Sequence, residues 1–589
     1  MSFEDILLNV MRPARYIGRE HNAVNKNPAR IKFNACLCFP ELYDIGMSNL
    51  GIRILYDILN SRKDLACERA FCPWPDYQKV LKDNSLKLTS LESGTPLGKF
   101  DLLGFSVNNE LNYTNILSMF SLSGIPFTAK ERGAGFPLII AGGNCSLNPE
   151  PIADFFDLIV IGEAEEVIVD IVKICTKFKK KYGSVCARKE ELLIELSKVP
   201  GIYVPQFYNV EYDKDMTVKE FTPGKNGIPS VIKKVYVKNL DKCLRPLSWI
   251  VPNVEVIHDR IGIEIMRGCP HRCRFCQAHS YFSPLRIRSP KVIFNLAKRL
   301  YKVSGYEQIS LLSLSSSDYP FMEGLVGRLI KYFSRKAVSI ALPSVRPKNI
   351  TENVSRLLSS QRKTGLTFAP EAGTDRLRRI INKDINIEEL FQAAKGAYKA
   401  GYQRIKLYFM IGLPKENDSD LEAIVDLASK LSYLRKDFAR QAAQISLSIS
   451  TFIPKPHTPF QWLNMSKMDE TRRKQGYLKK LILSRPGLES KIKINFHNVH
   501  ISVVEAALSR GHRGLSKVIQ SAFDKGAQFD QWSDCFNFDI WQQAFSENGF
   551  DIEESATRSI ALEKTLPWDF IDMGINKEFL KDEFRKALT

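Results

Sequence analysis

The sequence predicts an α/β protein with two parallel-sheet domains and a mainly helical region after them. Between residues 31 and 180, short apolar strands alternate with helical segments, as in a parallel sheet that is covered on both faces. From Ile261 to about residue 460, strand–helix units repeat, and polar residues follow the strands. Beyond about Phe460 this alternation stops and helical patterns predominate. The 589 residues are also too many for a single hydrophobic core, so several domains are expected.

Composition and charge narrow the class of protein. Hydrophobic residues make up 44% of the chain, and no apolar run reaches the ~20 residues that span a membrane, so we expect no membrane segment. The N-terminus, MSFEDILLNVMRPARY, has early acidic residues and no small-residue cleavage site, so it is not a secretory signal. Twelve scattered cysteines form no disulfide framework, which favours the reducing cytoplasm. The net charge of +19 favours an anionic partner such as RNA, although a lysine-rich source composition explains it equally well.

The first predicted domain follows an N-terminal arm, residues 1–30, and ends near residue 180. Apolar spacing predicts helices over residues 46–60 and 113–122, and a further helix runs to about Lys179. Gly142-Gly143 and Gly162 follow two of the strands, at the edge where such a sheet binds ligands. Residues 181–255 are mixed and are expected to form a linker or small region. The predicted strands are Ile31–Cys38, Asp101–Val107, Pro137–Ala141 and Asp157–Ile161.

A cysteine array opens the second domain. The stretch from Ile263 to Gln277, IEIMRGCPHRCRFCQ, places Cys269, Cys273 and Cys276 in a C-x3-C-x2-C spacing. Three thiolates can hold three corners of a [4Fe–4S] cluster, and with no fourth local cysteine one iron stays open to a small ligand.

Two plainer interpretations of the array remain. Structural zinc could use the three cysteines with His271 or His279, but the second cysteine pair usual in such sites is missing. A ferredoxin would need a fourth cysteine in register, and neither Cys243 nor Cys535 is placed for that role.

Five further strands are predicted in this domain, each followed by polar or turn residues and then by a helix. Together with the strand before the cysteines they make six. In parallel barrels the chemistry gathers at the carboxyl ends of the strands, so residues there are candidate ligands. The five strands are Gln308–Leu314, Val338–Leu342, Thr364–Ala369, Arg404–Ile411 and Gln444–Phe452.

The cysteine loop resembles that of the radical S-adenosylmethionine (SAM) superfamily. The matching segments are Arg267-Gly268-Cys269-Pro270 and Cys273-Arg274-Phe275-Cys276. The resemblance implies a partial (β/α)6 radical SAM barrel, here residues 256–465. It also implies a [4Fe–4S] cluster on the three cysteines, SAM as cofactor, and an electron donor such as flavodoxin or ferredoxin. In the family the reduced cluster splits SAM to a 5′-deoxyadenosyl radical, which abstracts a hydrogen.

The same resemblance implies which residues bind SAM. Hydroxyl and backbone groups at residues 315–317 would meet the ammonium, and two residues after the next strand would meet the carboxylate or a substrate anion. A glutamate would accept from the ribose, and an aromatic ring with the backbone after another strand would hold the adenine. Each also has a structural explanation, such as capping the following helix, and no residue is assigned to the chemical step. In this order, the candidates are Ser315, Ser316, Ser317, Ser344, Arg346, Glu371, Phe275, Ile411 and Gly412.

The first domain resembles the Rossmann-like cobalamin-binding domain that precedes many radical SAM barrels. Gly142-Gly143 and Gly162-Glu163 stand where that domain has its glycine pair and its Gly-Glu element. Cobalamin binders with a cobalt-ligating histidine carry it after the first strand, but residues 43–51 here read YDIGMSNLG. Either cobalamin binds without a protein histidine, or the fold is kept without the cofactor.

The flanking segments resemble a little-characterised bacterial family of cobalamin-domain radical SAM proteins. These segments are Arg12–Tyr16 and Pro567–Gly574, so the resemblance covers nearly the whole chain. The fold class that follows is a Rossmann-like domain, a radical SAM barrel and a mainly helical C-terminal region, residues 466–589. We expect that region to close the barrel mouth or present the substrate.

Three hypotheses of function follow. The first is a radical SAM enzyme that modifies a macromolecule, RNA or protein, by methyl transfer or another C–H functionalisation. The second is a non-catalytic protein in which a metal cluster orders an RNA-binding fold. The third is methylthiotransferase-like sulfur insertion, which usually needs a second cluster. The remaining cysteines provide no second three-cysteine array.

Overall fold

The N-terminal domain is a doubly wound sheet of six strands. The structure is a computed structural model that describes residues 3–243, 247–343 and 366–589. The strand order is β2-β1-β3-β4-β5-β6, and every neighbouring pair is parallel except β5 and β6. In this order the chain reverses direction across the sheet between β1 and β3, which is the point where such folds bind ligands. The strands are β1 (Phe33–Phe39), β2 (Leu65–Phe71), β3 (Leu102–Ser106), β4 (Leu138–Gly142), β5 (Leu158–Val160) and β6 (Ile202–Tyr203).

Helices cover both faces of this sheet, as the alternating pattern predicts. The central strands are almost fully buried, and β4 reads LIIAG because both of its faces are packed. The helices are α1 (Phe3–Leu7), α2 (Tyr43–Gly46), α3 (Leu50–Asn60), α4 (Pro75–Asp83), α5 (Tyr113–Ser123), α6 (Ala164–Tyr182) and α7 (Lys189–Ser197).

The sequence pattern predicts neither β2 nor the two-residue edge strand β6, and for β2 the reason is clear. Its sequence, LACERAF, carries two charges that break the apolar run. In the structure Arg69 is buried and pairs with Glu20 at 3.0 Å and with Glu92 at 2.6 Å. Because these partners come from the N-terminal arm and from a distant loop, the strand is stable only in its tertiary context.

The barrel domain contains the six predicted strands, a seventh parallel strand and a short antiparallel pair. Its strands form two parallel sheets, β10-β13-β14 and β15-β16-β17-β18, on either side of the segment 344–365, which lies outside the described residues. The added strand β18 pairs in parallel with β17 after the point where the repeating pattern ends. Strands β11 and β12 form a short antiparallel pair around the cysteine loop. The strands are β10 (Ile261–Glu264), β11 (Met266–Arg267), β12 (Arg286–Ile287), β13 (Gln308–Leu312), β14 (Ser339–Ala341), β15 (Leu366–Glu371), β16 (Arg404–Ile411), β17 (Gln444–Thr451) and β18 (Ile492–Phe496).

The barrel helices alternate with these strands, and several begin with side-chain caps. Asn417 and Asp420 form a reciprocal capping box at the start of α13, which fixes where that helix begins. The described helices are α8 (Gln277–Phe282), α9 (Pro290–Ser304), α10 (Met322–Phe333), α11 (Asp375–Ile380), α12 (Ile387–Lys399), α13 (Asp418–Leu434) and α14 (Met468–Leu483).

The C-terminal region is mainly helical and packs against both domains. The buried side chains of its first four helices belong to the same apolar core as the N-terminal sheet. A buried lysine of the barrel, Lys455, joins Glu110 of the first domain (3.1 Å) to Glu505 of this region (2.8 Å). The elements are α15 (Val499–Ser509), α16 (Leu515–Asp524), α17 (Phe538–Glu547), α18 (Ile552–Thr557), β19 (Ile571–Asp572) and α19 (Lys577–Leu588).

The region between the two sheets is small. It forms a hairpin of β7 (Tyr208–Tyr212) and β8 (Val218–Pro223), and β9 (Ile232–Lys233) pairs in parallel with β19. No described helix is both long and apolar enough to cross a bilayer.

Candidate active site at the cysteine loop

The cysteine loop lies at the carboxyl end of the first barrel strand. The chain leaves β11 at Gly268, whose φ is +93°. A Cβ there would come within 2.8 Å of the Phe282 carbonyl oxygen, so only glycine allows this close approach. The three cysteines follow, and the loop ends where α8 begins at Gln277.

The three thiols have the chemistry that a [4Fe–4S] cluster needs. Cys269, Cys273 and Cys276 are all half-buried on one short loop. A four-iron cluster binds each thiolate at a different iron, so its ligands do not converge on one point. Among the described residues, no three His, Cys, Asp or Glu side chains converge on a single-ion site. The donor set fits a cluster with one open iron.

The surroundings of Cys276 tune its thiol. Burial raises the pKa of this thiol, while the backbone N–H groups of His279 and Ala278, which point at the sulfur, lower it. Lys383 also lowers this pKa, and Glu371 raises it slightly. Burial is the largest of these effects, so the pKa of Cys276 is raised overall, and the two N–H groups and Lys383 partly offset the rise in favour of the thiolate that binds iron.

The serines predicted to meet SAM are largely engaged with their own loop. Ser316 is buried, and its hydroxyl donates to the Leu311 carbonyl at 3.2 Å. The Ser315 hydroxyl donates to Asp318 at 2.5 Å, and Ser317 lies between them. Ser315, Ser316 and Ser317 remain predicted SAM ligands through their backbone groups.

At this strand end, the side chain of Asp318 contacts the cysteine loop. Its Oδ2 lies 2.9 Å from Nε2 of His271, which stands between Cys269 and Cys273. Asp318 is not among the site residues predicted from the sequence. A carboxylate that directly follows the run of serines at a strand end is the signal that could have found it.

Glu371 lies at the end of β15 and close to the cysteine loop. It has a φ of +69°, which is strained for a residue with a side chain, and such strain clusters at functional sites. Its carboxylate accepts from Lys383 Nζ at 3.2 Å. Burial raises the pKa of Glu371, and Lys383 partly offsets the rise. Lys383 is a further site residue that the sequence analysis missed, because it follows a helix rather than a strand.

The predicted adenine-binding groups come from the cysteine loop and from the end of β16, and they meet near one apolar cluster. Phe275 packs against an apolar cluster that includes Leu413, just after β16. Ile411 is buried, and the N–H of Gly412 donates to Glu416 at 2.7 Å. Ser344 and Arg346 lie outside the described residues. All of these SAM assignments remain predictions.

A cavity of about 400 Å³ lies between the N-terminal sheet and the barrel residues that flank the cysteine loop. One wall is the carboxyl edge of that sheet together with α3 and the start of α6. The other wall comes from the barrel, at Glu264, Arg267, Tyr281 and Phe282. The cavity thus opens at the reversal of strand order, beside the cysteine array.

The Gly162-Glu163 turn docks the two domains beside this cavity. The Glu163 carboxylate accepts from Arg286 (2.7 and 2.8 Å), from Arg267 (2.8 Å) and from the Val237 N–H (2.8 Å). Burial alone would raise the pKa of Glu163, but Arg286 and Arg267 hold it below its usual range. The glutamate is therefore charged and joins the first domain to the base of the cysteine loop.

Close backbone contacts explain why two of the glycines at these strand ends must be glycine. A Cβ on Gly143 would lie 2.6 Å from the Val107 carbonyl oxygen, and one on Gly162 would lie 2.1 Å from that of Val235. Both have positive φ, so turn geometry alone requires glycine there. Gly142 has no such contact and lines the cavity.

Family profiles match both domains. A profile for the radical SAM superfamily covers residues 263–428, which include the cysteine loop, and one for the N-terminal part of radical SAM proteins covers residues 51–205. The chain belongs to the radical SAM superfamily. It is accordingly a radical SAM enzyme, and the superfamily uses a [4Fe–4S] cluster and SAM.

Individual relatives of this radical SAM chain are more distant. An uncharacterized protein of Methanocaldococcus jannaschii is 27% identical over 490 residues, 82% of this chain and 90% of that protein. A tRNA-2-methylthio-N(6)-dimethylallyladenosine synthase of Pelagibacter ubique is 26% identical over 222 residues, 36% of this chain and 47% of the relative.

Two solved structures are similar at low TM-scores. The cobalamin-dependent SAM radical enzyme OxsB has a TM-score of 0.46 at 14% identity, over 78% of this chain and 56% of that one. The radical SAM methyltransferase TsrM from Kitasatospora setae has a TM-score of 0.45 at 12% identity, over 70% of this chain and 72% of that one.

Proposed function

We propose that this radical SAM enzyme modifies a macromolecule, in the first place RNA, by methyl transfer that uses cobalamin in the interdomain cavity. The cavity beside the cysteine loop carries the proposal. It lies at the ligand-binding edge of a doubly wound sheet and reaches the barrel residues that precede the cysteines. A cofactor bound there would stand next to the place where SAM is split.

The residues of the barrel would prepare SAM for cleavage. The cluster, when bound by Cys269, Cys273 and Cys276, supplies the electron that breaks SAM into methionine and the 5′-deoxyadenosyl radical. Asp318 and Glu371 offer carboxylate acceptors at the ends of β13 and β15, suited to an ammonium and to ribose hydroxyls. The C-terminal region packs over both domains, and exclusion of water protects a radical intermediate.

The cavity suits part of a cobalamin molecule. Its volume of about 400 Å³ lies in the usual range for ligand sites, and its lining mixes glycines with Leu, Ile and Val side chains. No histidine is among the described residues that line it, so cobalt would have no histidine ligand from this wall. When bound, cobalamin would supply a carrier for a methyl group from a second SAM molecule, which leaves as S-adenosylhomocysteine, because the SAM that is split keeps its methyl group on methionine.

Charge and one relative favour RNA as the substrate. The net charge of +19 attracts polyanions in general. The Pelagibacter relative is named for a tRNA modification, although the match covers less than half of it. We further infer a flavodoxin- or ferredoxin-like electron donor and a reducing, cytoplasmic location.

Sulfur insertion is the weaker alternative. The seven cysteines of the N-terminal domain are all buried, and none is among the described residues that line the cavity. No observation favours a second cluster there.

The test is anaerobic purification with added cobalamin, followed by iron and cobalt analysis and reduction in the presence of SAM. We expect about four irons per chain, bound cobalamin, and release of 5′-deoxyadenosine measured by mass spectrometry. Cys276→Ala should abolish the product, whereas Cys535→Ser, at a half-buried cysteine outside the loop, should not. A loaded cluster that yields no 5′-deoxyadenosine would support a non-catalytic RNA-binding protein instead.

A second pair of variants tests the cavity. Leu55 lines it from α3, and Leu55→Trp should fill part of it and reduce cobalt content while iron content is kept. Leu86→Trp makes the same change at an exposed site away from the cavity and should leave cobalt content unchanged. Equal cobalt content in the wild type and in both variants would mean that cobalamin binds elsewhere or does not bind.

A further inference from the structure

Helix α19 lies against the cysteine loop and contacts two side chains of the loop. The Nε and Nη2 atoms of Arg274 each lie 3.0 Å from Oε2 of Glu583. The guanidinium of Arg272 lies 5.5 Å from the centroid of the Phe579 ring, which is within cation–π distance. Both residues next to Cys273 therefore contact the same helix.

The loop is held from its other side by the end of α11. Nη1 of Arg274 donates to the carbonyls of Ile380 (2.7 Å) and Arg379 (3.1 Å). Its backbone N–H donates to the Ile381 carbonyl at 3.0 Å. These are the last carbonyls of α11, where a positive charge is favourable. Arg274 is one of the two residues between Cys273 and Cys276, and it thus connects α11 to α19.

The ion pair is shielded from solvent. Only 11% of the Arg274 side chain and 15% of the Glu583 side chain are exposed. The Arg274 guanidinium also uses both of its edges, one on α11 and one on α19. A charge pair with this burial fixes geometry, and removal of one partner leaves the other buried without compensation.

Helix α19 has its own anchor, which does not involve the loop. Leu580 and Phe584 pack in an apolar cluster with Trp462 and Trp568. The side chain of Asn576 caps the N-terminus of the helix by accepting from the Glu578 N–H. Glu583 therefore projects from a helix that is fixed independently of the cysteines.

We propose that α19 is a strap that positions the cysteine loop for its cluster, with Arg274 and Glu583 as the positioning residues. The inference rests on the cluster assigned to Cys269, Cys273 and Cys276. Two cysteines flank the Arg274-Phe275 dipeptide, so a shift of Arg274 moves both sulfurs.

The experiment compares Glu583→Gln with Glu578→Gln in the full chain after anaerobic reconstitution. Glu578 is an exposed glutamate on the same helix that pairs with Lys581 and does not touch the loop. The measurements are iron content, the rate at which cluster absorbance is lost in air, and the electron paramagnetic resonance spectrum of the reduced cluster. We expect E583Q to lose its cluster roughly tenfold faster and to change the spectrum, as for other residues that orient metal ligands.

Arg274→Lys tests whether the positive charge at this position is enough or whether the guanidinium contacts to both helices are needed. Lysine keeps the charge but is a single point donor, so it cannot bind both helices at once. R274K should therefore lose iron at a rate between those of the wild type and E583Q. If E583Q does not fold, the comparison of R274K with the wild type decides the question: faster loss of iron supports the strap, and an equal rate overturns it.

Equal rates in wild type and E583Q would overturn the strap. Equally fast loss in E583Q and E578Q would also overturn it, because that result reports a weakened helix rather than a displaced loop. Retention of a four-iron cluster by Cys276→Ala would instead refute the cluster assignment, and the proposal for α19 would fail with it.

Discussion

At the scale of single residues, the main difference between expectation and structure lies at the end of β13. A run of three serines is conspicuous in the sequence, yet the Ser315 and Ser316 hydroxyls bond within their own loop. The residue that reaches the cysteine loop is Asp318, through His271. Hydroxyls prefer local backbone and side-chain partners, whereas a carboxylate can orient a more distant group.

Asp318→Asn should therefore impair SAM cleavage more than Ser315→Ala. The amide keeps the shape but loses the charge that meets His271, so we expect at least tenfold less 5′-deoxyadenosine, in line with other residues that orient a metal-binding loop. Ser315→Ala removes one hydrogen bond to the same carboxylate and should cost much less. Single-turnover product formation at equal iron content checks this, and similar activity of the two variants would contradict it.

At the scale of elements, the turn between β5 and α6 connects the two domains. Glu163 lies at the N-terminus of α6 and binds Arg267 and Arg286, which flank the cysteine loop in β11 and β12. By its sequence, this Gly-Glu element resembles part of a cofactor-binding domain. The structure shows that its carboxylate is an interdomain contact beside the cavity.

Glu163→Gln should loosen this junction. Loss of one partner in a buried charge network typically costs about 3–5 kcal/mol, and denaturant unfolding at pH 7 would measure it. The pKa of Glu163 is lowered in the folded protein, so its stabilisation is present above the unfolded pKa and is lost as pH falls through the folded value. The difference between wild type and E163Q should shrink below about pH 4.

The matched control for this prediction is Glu166→Gln. Glu166 is exposed in the same first turn of α6, so Glu166→Gln makes the same substitution at the same end of the helix but outside the buried network. Unfolding of E166Q close to wild type and of E163Q well below it is the expected pair of results. Equal stability of all three proteins would show that the network contributes nothing to docking.

At the scale of the whole molecule, three regions enclose one site. The N-terminal sheet forms one wall of the cavity, the barrel forms the other, and the C-terminal region shares its core with the first domain and straps the cysteine loop. The large positive charge belongs to the same scale, because it concerns association with a partner rather than any single contact.

If RNA is the partner, its binding should depend strongly on salt. A protein that neutralises six or more phosphates loses roughly 10³-fold in affinity between about 50 and 200 mM salt. Fluorescence anisotropy with labelled tRNA would measure this for the full chain. Affinity that does not change with salt would exclude a charge-driven RNA partner and favour a protein substrate.

The sequence by itself determined the parallel sheets, the barrel strands and the cysteine loop. Arg404–Ile411 is predicted and observed with the same limits, because its apolar residues first alternate with polar ones and then run on to the turn at Gly412, which is a strand pattern. The C-x3-C-x2-C spacing is equally local, so three thiolates on one loop needed no tertiary information.

Only the tertiary structure decided what surrounds that loop. Glu163 lies 104 residues from Arg267, and Glu583 lies 309 residues from Arg274. Strand β2 was missed because its charged residues are paired with partners from other segments. Ion pairs between distant residues leave no periodic trace in a sequence, whereas buried strands and ligand loops do. The cysteine loop of this radical SAM protein could thus be predicted from local spacing, but its cavity, its domain junction and its strap could not.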